Sequence, residues 1–254
     1  MSSRDTSKEL KSDCGSQDEA EASIPAKRRI VRGKLEVFDK LAFNVFSYLE
    51  TFDEVSDIEF SAPDGSSALC NIWEGKRTPH VLPYDVKGFM AMFNGVSLKW
   101  SVDMGSDSMP VGEILINKLD AMVEVELSGQ FMKPPDDARD SKLPLPDPLL
   151  TVGFELAKSA DITVGLLLHS ETIHGKNISC EVWFKDETTS TWHYICDTFT
   201  QYIRLCVLHL GIFGWQNIFT PDGISMTTRQ WMSMFCRERL CVYQHHHSSF
   251  KSVS

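Results

Sequence analysis

Long apolar runs are missing from this chain. Its most apolar stretch, residues 199–213, is interrupted by Gln201, Arg204 and His209. It falls short of the roughly 20 apolar residues that a membrane-crossing helix needs, so no transmembrane helix is expected. Residues 1–29 hold no apolar core segment, so no signal peptide is expected either. Cysteine is scarce and odd in number, 7 residues in 254. That excludes a disulfide scaffold and, with no leader read, points to a reducing, cytoplasmic compartment. No two cysteines stand two residues apart, which excludes a zinc ribbon. Positive charge is the minority, with 25 Lys and Arg against 35 Asp and Glu and a net charge of -10. Nucleic-acid affinity rests on cationic neutralisation of phosphate, so neither nucleic acid nor an anionic membrane is an expected partner. Also missing are a P-loop, a dinucleotide glycine fingerprint, a His-Glu-x-x-His zinc motif and a nucleophile elbow. Gly33, Gly95 and Gly112 are isolated and make no phosphate cradle. No cofactor and no metal are expected.

What is present is the composition of a globular protein, 42% apolar and 24% charged. The chain divides into a tail over 1–29, a domain over 30–243 and a second tail over 244–254. The first tail is polar, with its acidic and basic residues in balance, and is expected to be disordered. The remainder therefore carries the whole negative charge. Within it, residues 129–148 hold five of the 11 prolines and read as a long exposed loop.

Periodicity places the elements. Leu35, Phe38, Leu41, Ala42, Val45, Phe46, Leu49 and Phe52 share one face of a helix over 33–52. A strand follows at 55–60, closed by Pro63-Asp64-Gly65. Pro83 suits the first position of a helix that carries Val86, Phe89, Met90 and Phe93 and stops at Asn94-Gly95. Val96, Leu98, Trp100 and Val102 alternate with polar residues, the pattern of a half-buried strand. Further strands are expected at 111–116, 152–156, 162–168, 180–184 and 191–195. Asp197 is expected to cap a helix reaching Leu210, with Gly211 as its stop, and Ser225 a last helix through Phe235. Helices, then a run of strands, then helices make an α+β fold with a mostly antiparallel sheet. Leu35, Phe38, Val45 and Leu49 are expected to face Phe89, Phe93, Trp100 and Trp183.

Few constellations suggest chemistry. Cys196 and His193 suffice for a thiol hydrolase in residue type, but no orienting group or oxyanion donor accompanies them. Cys236 and Cys241 read as free thiols, and His245, His246 and His247 as a solvated tail. The Asn177-Ile178-Ser179 sequon has no meaning without secretion. Lys27, Arg28, Arg29, Arg32 and Lys34 form the one concentrated basic cluster, a candidate contact for an acidic surface. Of the six tryptophans, most read as core. Trp215 and Trp231 lie where glycines break up the C-terminal helices, and one of them is a candidate partner anchor.

Two stretches resemble a known family. The first runs Trp73-Glu74, Leu82-Pro83-Tyr84-Asp85-Val86-Lys87-Gly88-Phe89, Asn94-Gly95 and Trp100-Ser101-Val102. It resembles the SUKH (Smi–Knr) superfamily of α+β interaction domains. The second runs Glu181-Val182-Trp183-Phe184-Lys185-Asp186, Trp192-His193, Asp197-Thr198-Phe199-Thr200-Gln201-Tyr202-Ile203-Arg204-Leu205, His209-Leu210-Gly211, Trp215-Gln216, Phe219-Thr220, Gly223-Ile224-Ser225, and Gln230-Trp231 with Met234. Together they are similar to the second-subunit family of the tubulin polyglutamylase complex, over roughly 70–118 and 180–238. The resemblance implies a non-catalytic scaffold, associated with the cytoskeleton. Its implied partner is a separate ligase of the tubulin tyrosine ligase-like class, which uses ATP to add glutamate to tubulin tails. Longer relatives carry a basic C-terminal extension, whereas this chain stops soon after Tyr243, so contact with microtubules is expected to be indirect. A SUKH-type adaptor with a partner unrelated to tubulin remains an alternative, as does the thiol hydrolase.

Overall fold

The computed structural model describes residues 28–29, 32–105, 107–133, 145–159, 161–169 and 180–240. Residues 1–27, most of the proline-rich segment and the tail from 241 lie outside it, and with them Lys27, Asn177, Cys241 and the three tail histidines.

A four-stranded sheet comes first, in the order β1 (Arg28–Arg29), β2 (Val55–Ser61), β3 (Val96–Asp103) and β4 (Ser108–Ile116). β1 runs parallel to β2 at its edge and the other pairs are antiparallel. Two of the residues expected in the N-terminal tail thus belong to a strand. The single helix expected over 33–52 is two, α1 (Arg32–Leu41) and α2 (Val45–Leu49). Phe43 and Asn44 between them take positive φ, which ends a helix. The Asp39 carboxylate accepts the Phe46 amide at 2.8 Å and the Ser47 hydroxyl at 3.2 Å, capping the second piece. The break keeps Phe38, Ala42, Val45, Phe46 and Leu49 all buried.

α3 (Ser67–Lys76) was not expected, although Ser66 caps it by accepting the Leu69 amide, and it buries Cys70 and Trp73. α4 (Tyr84–Met92) follows, with Pro83 just before its first turn. Gly95 stops the chain at φ +84°, where a Cβ would meet the Ile116 carbonyl at 2.7 Å, so only glycine fits.

The second sheet has six strands. They are β5 (Glu124–Val125), β6 (Gln130–Met132), β7 (Thr151–Lys158), β8 (Ile162–His169), β9 (Cys180–Asp186) and β10 (Thr191–Cys196). Their order is β5-β7-β8-β9-β10-β6, antiparallel except that β6 lies parallel to β10. The loop expected over 129–148 therefore opens with an edge strand. The sheets meet where Asn117, just after β4, donates its amide to Leu156 of β7 at 2.6 Å.

α5 (Phe199–Leu208) is capped by Thr198, not by Asp197, whose carboxylate accepts the Tyr194 hydroxyl at 2.5 Å instead. A 3-10 helix at Trp215–Phe219 leads to α6 (Met226–Phe235), capped by Ser225 as expected. The fold is α+β.

One apolar core runs from Phe38 through both sheets to Cys236. Phe38 packs on Phe60 and Phe93 within it, and Phe89 is half-buried between Phe93 and Phe199. Trp183 corrects the expected core. Val182 and Phe184 face that core, and side chains alternate along a strand, so Trp183 points to the opposite face of the sheet. There it forms a second, smaller core with Leu167 and Trp192. Phe131, Val125, Leu127 and Tyr194 cover this cluster, with the Phe131 ring parallel to Trp192 at 6.0 Å.

Candidate functional site

The outer face of the six-stranded sheet carries a buried charge. Glu181 of β9 is fully buried. Its Oε1 accepts Lys133 Nζ at 3.2 Å, and its Oε2 accepts the Trp183 indole at 3.0 Å and lies 3.3 Å from His169 Nε2. Burial pushes the carboxyl pKa up, but the hydrogen bonds from His169 and Trp183 and the Lys133 charge outweigh it and hold it below its ordinary value. The Lys133 ammonium also lies 5.4 Å from the Tyr194 ring and 5.8 Å from the Trp183 ring. Both carboxylate oxygens are engaged within the protein. The arrangement fastens Lys133, just after β6, onto the centre of the sheet.

The thiol pair is placed but not joined. Cys196 Sγ donates to the Thr198 carbonyl at 3.4 Å, and burial pushes its thiol pKa far above the ordinary value. A nucleophile needs the thiolate, which this environment disfavours. His193 stacks on Phe184 at 5.1 Å, and burial lowers its pKa. No hydrogen bond links the two residues. Cys236 is buried as well, which pushes its thiol to about 12. Among the described residues, no group of His, Cys, Asp and Glu side chains is arranged to hold a metal ion, and no helix is long and apolar enough to cross a membrane.

The two candidate anchors differ. Trp215 is buried, its indole stacked on His209 at 4.7 Å and 7°. The expectation of a surface anchor there is corrected: the ring closes the turn after α5, and none of it is available to a partner. His209 Nδ1 donates to the Leu205 carbonyl at 2.7 Å. Burial draws its pKa down to about 4, so the imidazole facing the indole is neutral at pH 7.

Trp231 is half-buried. α6 buries Thr228, Met232 and Phe235 along one stripe, and Trp231 stands on the flank of that stripe, stacked on Phe235 at 6.2 Å. Behind Phe235 lies Trp100 of β3, at 5.0 Å, and beside it Phe52, also at 5.0 Å. Tyr48 of α2 completes the group. Its ring meets Phe52 at 5.3 Å and its hydroxyl donates to the Phe235 carbonyl at 2.7 Å. Phe52 is half-buried and Tyr48 exposed, and the exposed Met234 stands three residues beyond Trp231 on α6, so the two are neighbours on the helix surface. The result is an aromatic surface assembled from α2, the turn between α2 and β2, and α6. The sequence pointed to Trp231 as a tryptophan among glycine-broken C-terminal helices, but its union with Tyr48 and Phe52 is a tertiary fact.

The basic cluster belongs to other elements than this surface. Arg28 and Arg29 form β1, opposite Ile58 and Glu59 at the outer edge of β2, and Arg32 opens α1. Lys34 is ion-paired with Asp64.

These features define an acidic α+β protein with an open aromatic surface and a sealed charged knot. No family model matches the chain, and no solved structure matches it. Known proteins do. It is 30% identical over 211 residues to tubulin polyglutamylase complex subunit 2 of Rattus norvegicus, covering 78% of this chain and 71% of that protein. The subunit of the same name from Homo sapiens is 30% identical over 210 residues, and that of Mus musculus 29% over 211. The chain belongs to the family of tubulin polyglutamylase complex subunit 2.

Proposed function

We propose that this chain is a non-catalytic subunit of a tubulin polyglutamylase complex. It holds other subunits together around a separate ligase of the tubulin tyrosine ligase-like class, in the cytoplasm and at microtubules. The observation that carries this reading is the 30% identity over 211 residues to a protein named as subunit 2 of such a complex. Physical chemistry agrees with it. A net charge of -10 repels a glutamate-rich tubulin tail, so this chain is poorly suited to grip the substrate itself. The buried, protonated Cys196 is a poor nucleophile. An aromatic surface is what a docking subunit needs. In this reading the α+β domain works as interaction domains of the SUKH kind do.

Two measurements test it. Purified chain with ATP, glutamate and tubulin is expected to transfer no glutamate, whereas adding it to a complex prepared without it restores transfer. Affinity isolation from cells is expected to recover a ligase of that class. Glutamate transfer by the chain alone would overturn the non-catalytic role, and isolation of a stable assembly without any such ligase would overturn the assignment to this complex.

A further inference from the structure

The aromatic surface on α6 sits at one end of the four-stranded sheet, and that end is acidic. Phe52 leads directly into Asp53 and Glu54, both exposed. The Glu54 carbonyl accepts the Asp103 amide at 2.8 Å, which brings the end of β3, with exposed Asp103 and Met104, alongside. Glu238 lies close enough to Tyr48 to help raise its phenol pKa, after burial and Cys236. Arg237 and Arg239 flank Glu238 in the sequence, and the charge of Arg239 reaches Cys236; against these two cations stand the four carboxylates of Asp53, Glu54, Asp103 and Glu238.

An apolar surface whose rim carries an excess of one sign of charge selects its partner. The aromatic side chains supply affinity, because Trp and Tyr dominate binding energy at well-packed contacts. The rim charge steers encounter and rejects partners of like sign. From these two features we infer that the Tyr48–Phe52–Trp231–Met234 surface docks a Lys- or Arg-rich amphipathic segment of a partner polypeptide. Apolar residues of that segment lie on Phe52 and Trp231, and its cations meet Asp53, Glu54 and Asp103. Met234 and Tyr48, with side chains exposed to 54% and 44%, are the parts of the surface most open to the partner. This inference rests on reading the chain as a subunit of a complex, but not on which complex.

The test places a photo-crosslinking benzophenone amino acid at position 234 of the full chain in cells and sequences the peptide captured. The expected result is a peptide from a different polypeptide, rich in Lys or Arg and with apolar residues three and four apart. A captured acidic peptide, capture of a second copy of this chain, or no capture from an intact complex would overturn it. In parallel, the double charge reversal Asp53→Lys with Glu54→Lys is expected to lower partner recovery at least ten-fold. Glu124→Lys, on the distant edge of the other sheet, is expected to leave recovery unchanged, and an unaltered circular-dichroism melt in both variants confirms folding. Equal recovery with both would overturn the charge argument. If the captured peptide is basic and amphipathic but its source belongs to no polyglutamylase, the docking inference stands and the proposed function falls.

Discussion

The protein has two aromatic clusters, one separate from the main core and one at its margin, and they end differently. On the outer face of the six-stranded sheet, Trp183 and Trp192 are completely buried under Phe131, and the Glu181 knot seals the rim. Around Phe235, the rings of Phe52 and Trp231 are only half-covered, and Tyr48 and Met234 face outward. Both clusters hold large rings at ordinary edge-to-face or stacked separations. The first has its cover within the chain. The second lacks a comparable cover among the described residues. Burial in the first stabilises the fold, while in the proposed docking the second is buried only by a partner.

The comparison breaks first at the sealed cluster. Trp183→Ala removes a fully buried ring and its hydrogen bond to Glu181, and is expected to cost about 3–5 kcal/mol. Denaturant unfolding measures this, and a loss within ~1 kcal/mol would show the cluster to be peripheral. Glu181→Ala is expected to cost a similar ~3–5 kcal/mol, because Lys133 and His169 lose a buried carboxylate. Glu181→Gln, which keeps the shape, is expected to lose less, and the difference between the two variants isolates the charge.

Acid tests the closed interior next. His209 has a folded pKa lowered from 6.5 to about 4, and burial lowers that of His193 too. A lowered histidine pKa means that the unfolded chain binds the proton more tightly. The stability is therefore fully present above pH 6.5 and is lost as pH falls from 6.5 toward 4. Glu181 adds to the loss further down, since its lowered carboxyl stabilises the fold above its unfolded value of 4.5 and ceases to do so as pH falls below it. Unfolding free energy measured between pH 7 and 4 is expected to fall by up to about 3 kcal/mol on account of His209. His209→Gln is expected to flatten that slope, and an unchanged slope would contradict the assignment.

The open cluster gives the smallest effects on stability. Met234→Ser is expected to change unfolding free energy by no more than about 0.5 kcal/mol, since its side chain is mostly in water. A loss of several kcal/mol would mean that the surface is core after all.

How much of this was legible in the sequence follows from which forces are local. The strict alternation of Val96, Leu98, Trp100 and Val102 declared β3, and all four are buried. Ser225 announced α6, because a capping hydroxyl acts on an amide three residues away. The break at Phe43 and Asn44 was hidden, because the apolar spacing runs through it and the cap comes backward from Asp39. β6 was hidden as well, since its pairing partner lies in β10, far along the chain. The opposite facing of Trp183 was implicit in the alternation along β9, and the expected core ignored it. Trp215 and Trp231 read alike in sequence because both stand among glycines and helices. The stack on His209, with Tyr202 and Phe219 beside it, buries the first, and the position beside the Phe235 stripe leaves the second half-open. Of the Glu181 knot, one local sign existed, a carboxylate set among Cys180, Val182, Trp183 and Phe184, whereas His169 and Lys133 arrive from other elements.

The central claim is that the sealed cluster holds the fold and the open one holds the complex. The most direct measurement expresses the full chain with Trp231→Ala and Met234→Glu together, confirms its circular-dichroism spectrum and unfolding midpoint, and isolates the assembly from cells. The account predicts a folded protein that recovers its partners at a tenth or less of the normal level. A folded double variant that recovers every partner in full would contradict it.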